Sequence, residues 1–274
     1  MDFDLNLPAG RIRSRRWGPE GSPLLLCVHG LSANLSGFSY LAEGLVSRDR
    51  QVVAIDLRGR GRSEVTPPGS YGLDNHARDV LDVAAALGAE QFDLAGWSLG
   101  ALICMRVALR DGAKLRSVTL VDHAGPTDPA ALAPVRSGLA RLDAVVPTKG
   151  AYLSAIRAGG VIDPWSPFWD DYYTYELEEL PDGTWTPSTS RAAAEEDLHQ
   201  PWPKDWSDHW HALTMPTVLV RALKPLNGAL IVPDRAVEAL QAGNPAVRVA
   251  ETPKSNHFTC VVDPATLAAI GETL

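Results

Sequence analysis

"DLAGWSLGALICM", residues 93–105, runs from apolar residues into Gly96, Trp97, Ser98, Leu99 and Gly100 and back into apolar residues. The preceding "QFDLAGW" (91–97) reads as a strand covered on both faces, and residues 99–111 space their apolar positions as a helix does. A chain that turns sharply from such a strand into such a helix leaves its central residue at the tip, side chain clear of the sheet. A Cβ two positions to either side would collide with neighbouring backbone, so glycine belongs at both flanks. The turn also aims the first free N–H groups of the helix at the site, which favours a developing negative charge. Ser98 is thereby a candidate nucleophile. The competing reading is a chance G-x-S-x-G in a turn, and the strand before it and the helix after it count against that.

Outward from this turn, short apolar runs alternate with helix-like segments, the pattern of a mostly parallel sheet covered on both faces. "LLLCVHG" (24–30), "QVVAIDL" (51–57), "RSVTLVD" (116–122), "TVLVRAL" (217–223) and "AVRVAET" (246–252) read as further strands, and "DFDLNL" with "RIRSRRW" as an opening hairpin. Residues 37–48 and 74–88 read as helices, the second capped by Asp74, with more helix after Pro233 and from about Pro264. From Gly125 the alternation breaks. Residues 126–212 hold six of the eight tryptophans and read as an insertion between the sixth and seventh strands, a cap or lid, leaving 1–125 and 213–274 as the core domain. The aromatics of that insertion either pack an irregular subdomain or wall a substrate cavity. Trp165 and Trp169, with Trp97 and His123 beside the core motifs, are the side chains expected to line such a cavity.

Composition bounds the function. A length of 274 residues with 45% hydrophobic content suits one globular unit. A formal charge of -8 argues against nucleic-acid binding, since phosphate contacts need clustered Lys and Arg. The short "RIRSRR" run (11–16) reads as an exposed strand edge, where charge discourages aggregation. Cys27, Cys104 and Cys260 have neither disulfide-framework nor zinc spacing and read as reduced core residues of a cytoplasmic protein. With no long apolar run, neither export nor a membrane span is expected. Metal-ligand spacing and a phosphate-cradling loop are both missing, so no metal and no cofactor is expected. The oligomeric state is not readable from the chain.

A serine needs a base, and the base an orienting group. His257, in "PKSNHFT", follows the last strand on a loop at the carboxyl edge of the sheet, where Ser98 also sits. His29, before Gly30, reads as serving the geometry of a strand-end turn; His76 falls on a helix, and His199, His209 and His211 belong to the insertion.

The order "HG" (29–30), "DLRGRGRS" (56–63), "GWSLG" (96–100), an insertion, and "NHF" (256–258) resembles the α/β-hydrolase superfamily over nearly the whole chain. That resemblance implies an α/β-hydrolase fold, a mostly parallel eight-stranded sheet with helices on both faces, and a triad in the order Ser, acid, His. It also implies an oxyanion hole made by the backbone N–H groups of Leu31 and Leu99. The acid departs from the commonest pattern of the superfamily, an Asp after the seventh strand. Here "RALKPLNGALIVPDRAV" holds no carboxylate before Val232 and Pro233, and Asp234 reads as a helix cap. Asp122 ends the sixth strand, the position from which certain lactonases and dehalogenases draw their acid, and is the carboxylate selected; a strand-end cap is its competing reading. Asp56 reads as organising its loop, with Arg58 paired to an acid.

The function implied is hydrolysis of a small carboxylic ester or lactone through an acyl-Ser98 intermediate, the substrate a small molecule of apolar or cyclic character. Carbon–carbon bond hydrolysis and thioesterase chemistry use the same triad and stay open. A hydrolase-fold ligand-binding protein is the alternative outside enzymology.

Overall fold

The computed structural model describes residues 1–127 and 130–274 of the chain; Asp128 and Pro129 lie outside the described residues. Its first strands, β1 (Asp2–Leu7) and β2 (Gly10–Trp17), form the expected antiparallel hairpin. Strands β3 (Leu24–Val28), β4 (Gln51–Ile55), β5 (Phe92–Trp97) and β6 (Leu115–Val121) follow. A small antiparallel ribbon, β7 (Leu177–Glu179) with β8 (Trp185–Pro187), stands apart from them. Strands β9 (Thr217–Ala222) and β10 (Arg248–Thr252) complete an eight-stranded sheet of order β1-β2-β4-β3-β5-β6-β9-β10. From β4 to β10 every pairing is parallel. The direction of winding reverses between β3 and β5. That reversal opens a crevice at the carboxyl ends of the strands, where α/β sheets bind ligands.

The "RIRSRR" run is not an edge. β2 lies between β1 and β4, and its arginines face acidic partners directly across the hairpin, Arg15 opposite Asp2 and Arg13 opposite Asp4. The ion pairs close at 2.5 Å and 2.8 Å. The alternate face carries Ile12, Ser14 and Arg16 into the interior, so the run is a period-2 strand with one buried side.

The same periodicity feeds two cores. Leu24, Leu26 and Val28 of β3 point to one face and Leu25 and Cys27 to the other, all five buried. The first face packs against α2 (Leu73–Ala86) and α3 (Leu99–Asp111), the second against α1 (Ser39–Leu45). Each fully buried Leu or Val contributes roughly 1.5–3 kcal/mol relative to exposure, which explains why these runs are apolar throughout. Asp74 is not the cap of α2. Gly72, at φ 102°, precedes the helix, while Asp74 sits in its first turn, where the helix dipole favours a carboxylate, and pairs with Arg106 of α3 at 2.7 Å.

Between β6 and β9 the chain forms α4 (Leu132–Ala140), α5 (Lys149–Ala158), α6 (Pro167–Tyr175), α7 (Arg191–His199) and α8 (Ser207–His211), with the β7–β8 ribbon among them. Buried polar contacts tie this segment to the sheet's loops. Asp197 on α7 accepts from Arg60 at 2.5 Å, from Gly72 N at 2.6 Å and from His76 Nε2 at 2.9 Å; burial pushes its carboxyl up, but the neighbouring Arg60 and these hydrogen bonds hold it well below the usual carboxylate range. Asp56 does organise its loop, accepting from Leu35 N, Arg62 N and the Tyr175 hydroxyl at 2.7–2.8 Å, and Arg58 pairs with Asp79. After β9, α9 (Asp234–Gly243) covers the first face and α10 (Pro264–Gly271) the second. Asp234 opens α9 without a capping bond from its side chain, which instead meets Arg221.

Candidate active site

The turn after β5 is as tight as the sequence implies. Ser98 takes φ 57° and ψ -116°, a left-handed conformation that costs a non-glycine residue on the order of 1–3 kcal/mol. The flanking glycines explain how it is reached. A Cβ on Gly96 would lie 2.1 Å from the Gly100 carbonyl oxygen, and one on Gly100 would lie 2.0 Å from that of Val28. Gly30 closes the other side, its position leaving 3.1 Å between a hypothetical Cβ and that of Ser98.

Three side chains from distant parts of the chain converge here. Ser98 Oγ lies 2.9 Å from His257 Nε2, and His257 Nδ1 lies 2.8 Å from Asp122 Oδ2. With Nδ1–H donating to the carboxylate, Nε2 is left to accept the serine proton. Asp122, also left-handed at φ 50°, is fixed twice more: its N–H donates to Val220 O and its Oδ1 accepts from Ala222 N. The competing reading of Asp122 as a strand-end cap thus describes one oxygen, and the other faces His257. The His257 loop is held by Trp97, whose indole N–H donates to His257 O at 2.9 Å, and by Asn256, whose Oδ1 accepts from Phe258 N and Thr259 N.

Two peptide N–H groups beside Ser98 are oriented from behind. Leu57 N–H donates to His29 Nε2, so His29 carries its proton on Nδ1 and donates it to Gly30 O at 2.7 Å. That carbonyl belongs to the peptide whose far side is Leu31 N–H, and a trans peptide points the two in opposite directions. Burial keeps the His29 ring neutral, its pKa lowered to about 3. In the same way Ser98 O accepts from Ala101 N and Leu102 N, turning Leu99 N–H the other way. Neither Leu31 N–H nor Leu99 N–H has an acceptor among the described residues.

A model of the alpha/beta hydrolase fold matches residues 23–264. The chain belongs to the α/β-hydrolase fold family. It is similar to "Serine hydrolase-like protein" of Danio rerio, 32% identical over 130 residues, 46% of this chain and 40% of that protein. It is similar too to N-formylmaleamate deformylase of Pseudomonas putida, 35% identical over 119 residues, 43% of this chain and 44% of that protein. The chain thus spans less than half the length of these two relatives. In fold it resembles the crystal structure of E-2-(acetamidomethylene)succinate hydrolase, with a TM-score of 0.89 at 23% identity over 100% of this chain and 98% of that one.

Within this hydrolase fold a cavity of about 270 Å³ opens beside Ser98 and His257. Trp97 and Trp169 line it, as the sequence leads one to expect; Trp165 does not. The Trp165 ring stacks on Tyr173 at 5.9 Å and its indole N–H donates to Asp170. His123 lines instead a smaller void that also borders Ser98, bonded to Thr127, and burial lowers its pKa to about 3. Trp202, Trp206 and Trp210 pack with the first core face, and Trp185 lies under Lys149. Of the six tryptophans between β6 and β9, then, Trp169 alone borders the cavity beside Ser98 among the described residues. Sequence reasoning missed Arg141, Tyr172 and Tyr173, which also line it. Nothing in "GLARLDA" or "WDDYYTY" distinguishes these from surface residues. The cysteines are free and buried, and among the described residues no helix is long and apolar enough to cross a membrane.

Proposed function

We propose that this chain is a serine hydrolase that cleaves a small carboxylic ester or lactone through an acyl-Ser98 intermediate. The observation that carries the reading is the unbroken relay from Ser98 Oγ through His257 to Asp122, at 2.9 Å and 2.8 Å, on a strained turn. His257 Nε2 takes the hydroxyl proton as Ser98 attacks the carbonyl carbon, then gives it to the leaving alkoxide; water, activated by the same nitrogen, releases the acid. Asp122 holds the tautomer and stabilises the imidazolium. Leu31 and Leu99 N–H groups, turned toward the site by their own carbonyl contacts, receive the oxyanion. Residues 126–212 act as the lid, its α4, α5 and α6 supplying one wall of the cavity. The size of that cavity supports a small-molecule substrate, and Trp97, Ile156, Val161 and Phe258 give it apolar walls suited to a compact or cyclic acyl group.

A second reading is cleavage of a carbon–nitrogen acyl bond by the same groups, favoured by the similarity to a deformylase. A fluorophosphonate probe tests what the readings share. It is expected to label Ser98, located by peptide mass mapping, and to leave Ser98→Ala unlabelled. Absence of labelling in the parent protein, or labelling elsewhere, contradicts both.

A further inference from the structure

The loop that carries Leu31, residues 29–34 after β3, belongs to no helix or strand. Its backbone ties itself with a turn bond, Ala33 N–H donating to Gly30 O at 3.2 Å. Side chains do the rest, one on each of three successive carbonyls. His29 Nδ1–H donates to Gly30 O at 2.7 Å, Arg60 Nε–H to Leu31 O at 3.1 Å, and Arg141 Nη2–H to Ser32 O at 2.7 Å, with Arg141 Nη1 also 3.3 Å from Ser32 Oγ.

Both arginines are themselves locked by acids of the segment between β6 and β9. Arg60, fully buried, pairs with Asp197 of α7 at 2.5 Å. Arg141, which follows α4, pairs at 3.1 Å with Glu176, a buried carboxylate that also accepts from the Tyr152 hydroxyl at 3.0 Å. A guanidinium presents its donors in a rigid planar fork, so one held by a carboxylate has its remaining donors aimed at a fixed place. The acids neutralise the two charges and leave direction as what the arginines contribute. Arg141 also donates to Gly138 O of α4 at 2.7 Å, and Gly138 borders the cavity beside Ser98. The cavity wall and the Leu31 loop thus share one fixed point.

Direction matters here because an oxyanion donor works only when its hydrogen already waits about 2.7–3.1 Å from where the charge will form. A misplacement of about 1 Å can cost on the order of 100-fold in rate. We propose that Arg60 and Arg141 are positioning residues for the oxyanion hole, fixing the two peptides that follow Leu31 N–H and so making its placement depend on the inserted segment. This rests on the hydrolase reading and adds to it a role for that segment beyond walling the cavity.

The test uses Arg141, since Arg60 is too deeply buried to replace without unfolding. Arg141→Met combined with Glu176→Gln removes the fork and leaves no buried charge unpaired; if it does not fold, Arg141→Lys, which keeps a charge beside Glu176 but loses the fork, takes its place. Two quantities are compared with the parent protein: turnover of p-nitrophenyl acetate, and affinity for butylboronic acid, whose boron adds Ser98 Oγ to become tetrahedral and places one oxygen in the oxyanion hole. Expected are a kcat lower by about ten-fold or more with KM within about three-fold, the pattern of a contact made only in the transition state, and boronate binding weaker by about ten-fold or more. A residue that serves stability alone would lower the unfolding midpoint and leave the folded protein's boronate affinity unchanged. A smaller fall in kcat, a rise in KM in its place, or unchanged boronate affinity overturns the proposal. A parent protein that neither turns over the ester nor binds the boronate fails the hydrolase reading itself, a result seen before any variant is made, and the proposal falls with it.

Discussion

Two regions meet at Ser98 and are held together in opposite ways. The crevice between β3 and β5 is set by backbone: glycines at 96 and 100 where any Cβ would strike a carbonyl, and peptides turned by their own hydrogen bonds. The segment between β6 and β9 is held by side chains reaching across more than a hundred residues, Arg60 and His76 to Asp197 and Asp56 to Tyr175. Backbone geometry leaves no room for a Cβ at 96 or 100 and thereby fixes where Ser98 stands. Side-chain pairs tolerate rearrangement more readily than such backbone contacts do.

Four changes sharpen or break this contrast. The largest effect is expected at the backbone-set centre, where Asp122→Asn keeps an oxygen for Ala222 N but presents an amide donor to His257 Nδ1, imposing the wrong tautomer. A fall in kcat of about 10⁴ is expected, with the unfolding midpoint nearly unchanged; near-normal turnover would move the acid elsewhere. Gly96→Ala should cost about 4 kcal/mol or more, because its Cβ has no space to occupy, and denaturant unfolding that matches the parent protein would contradict the tight turn. Removal of Asp197 by Asp197→Ala leaves Arg60, fully buried, without its carboxylate, a loss of about 3–5 kcal/mol. A loss under about 1 kcal/mol there would show that the inserted segment is anchored by its apolar contacts instead. On the surface, Asp4→Asn weakens only exposed pairs with Arg11 and Arg13 and should change stability by less than about 1 kcal/mol.

The pH dependence of stability probes the same crevice. His29 and His123 are buried and neutral in the folded protein, each lowered to about 3 by burial, whereas in the unfolded chain they protonate near 6.5. Between those values the unfolded state binds more protons, so stability falls as pH falls from about 6.5 toward 3, by up to roughly 1.4 kcal/mol per pH unit for each histidine. Asp56 works against this, since burial raises its pKa to about 6 and its protonation relieves a buried charge as pH falls through that value toward 3.8. Thermal unfolding from pH 7 to 4 in His123→Gln should therefore show a shallower loss than in the parent protein, and identical slopes would contradict the neutral, buried assignment of that ring.

The fold was legible because its causes are local and periodic. Continuous apolar runs announced strands covered on both faces, and the residues 96–100 announced the turn, since a glycine pair flanking a serine has one evident steric reason. His257 was placed beside Ser98 by where its strand ends, whereas Asp122 was selected through the resemblance to superfamily members that draw their acid from the end of the sixth strand. The inserted segment was not legible in the same way. Its aromatics could be read either as packing or as a cavity wall, with Trp165 and Trp169 expected in the wall; Trp202, Trp206 and Trp210 pack with the first core face, and Trp165 stacks on Tyr173. Arg141 lies 43 positions beyond Ser98 in sequence, and its place in the cavity is set by Glu176, 35 residues further on. Such pairing has no period and no motif. The "RIRSRR" run misled for a related reason: what makes it an inner strand is the acidic alternation of β1, visible only once the two are placed in register.

The central claim is that Ser98 performs acyl transfer with His257 and Asp122, and release of p-nitrophenol from its acetate and butyrate esters, parent protein beside Ser98→Ala, tests it most directly. The account predicts turnover by the parent protein that falls by at least about three orders of magnitude in the variant. Equal turnover by the two proteins would contradict it.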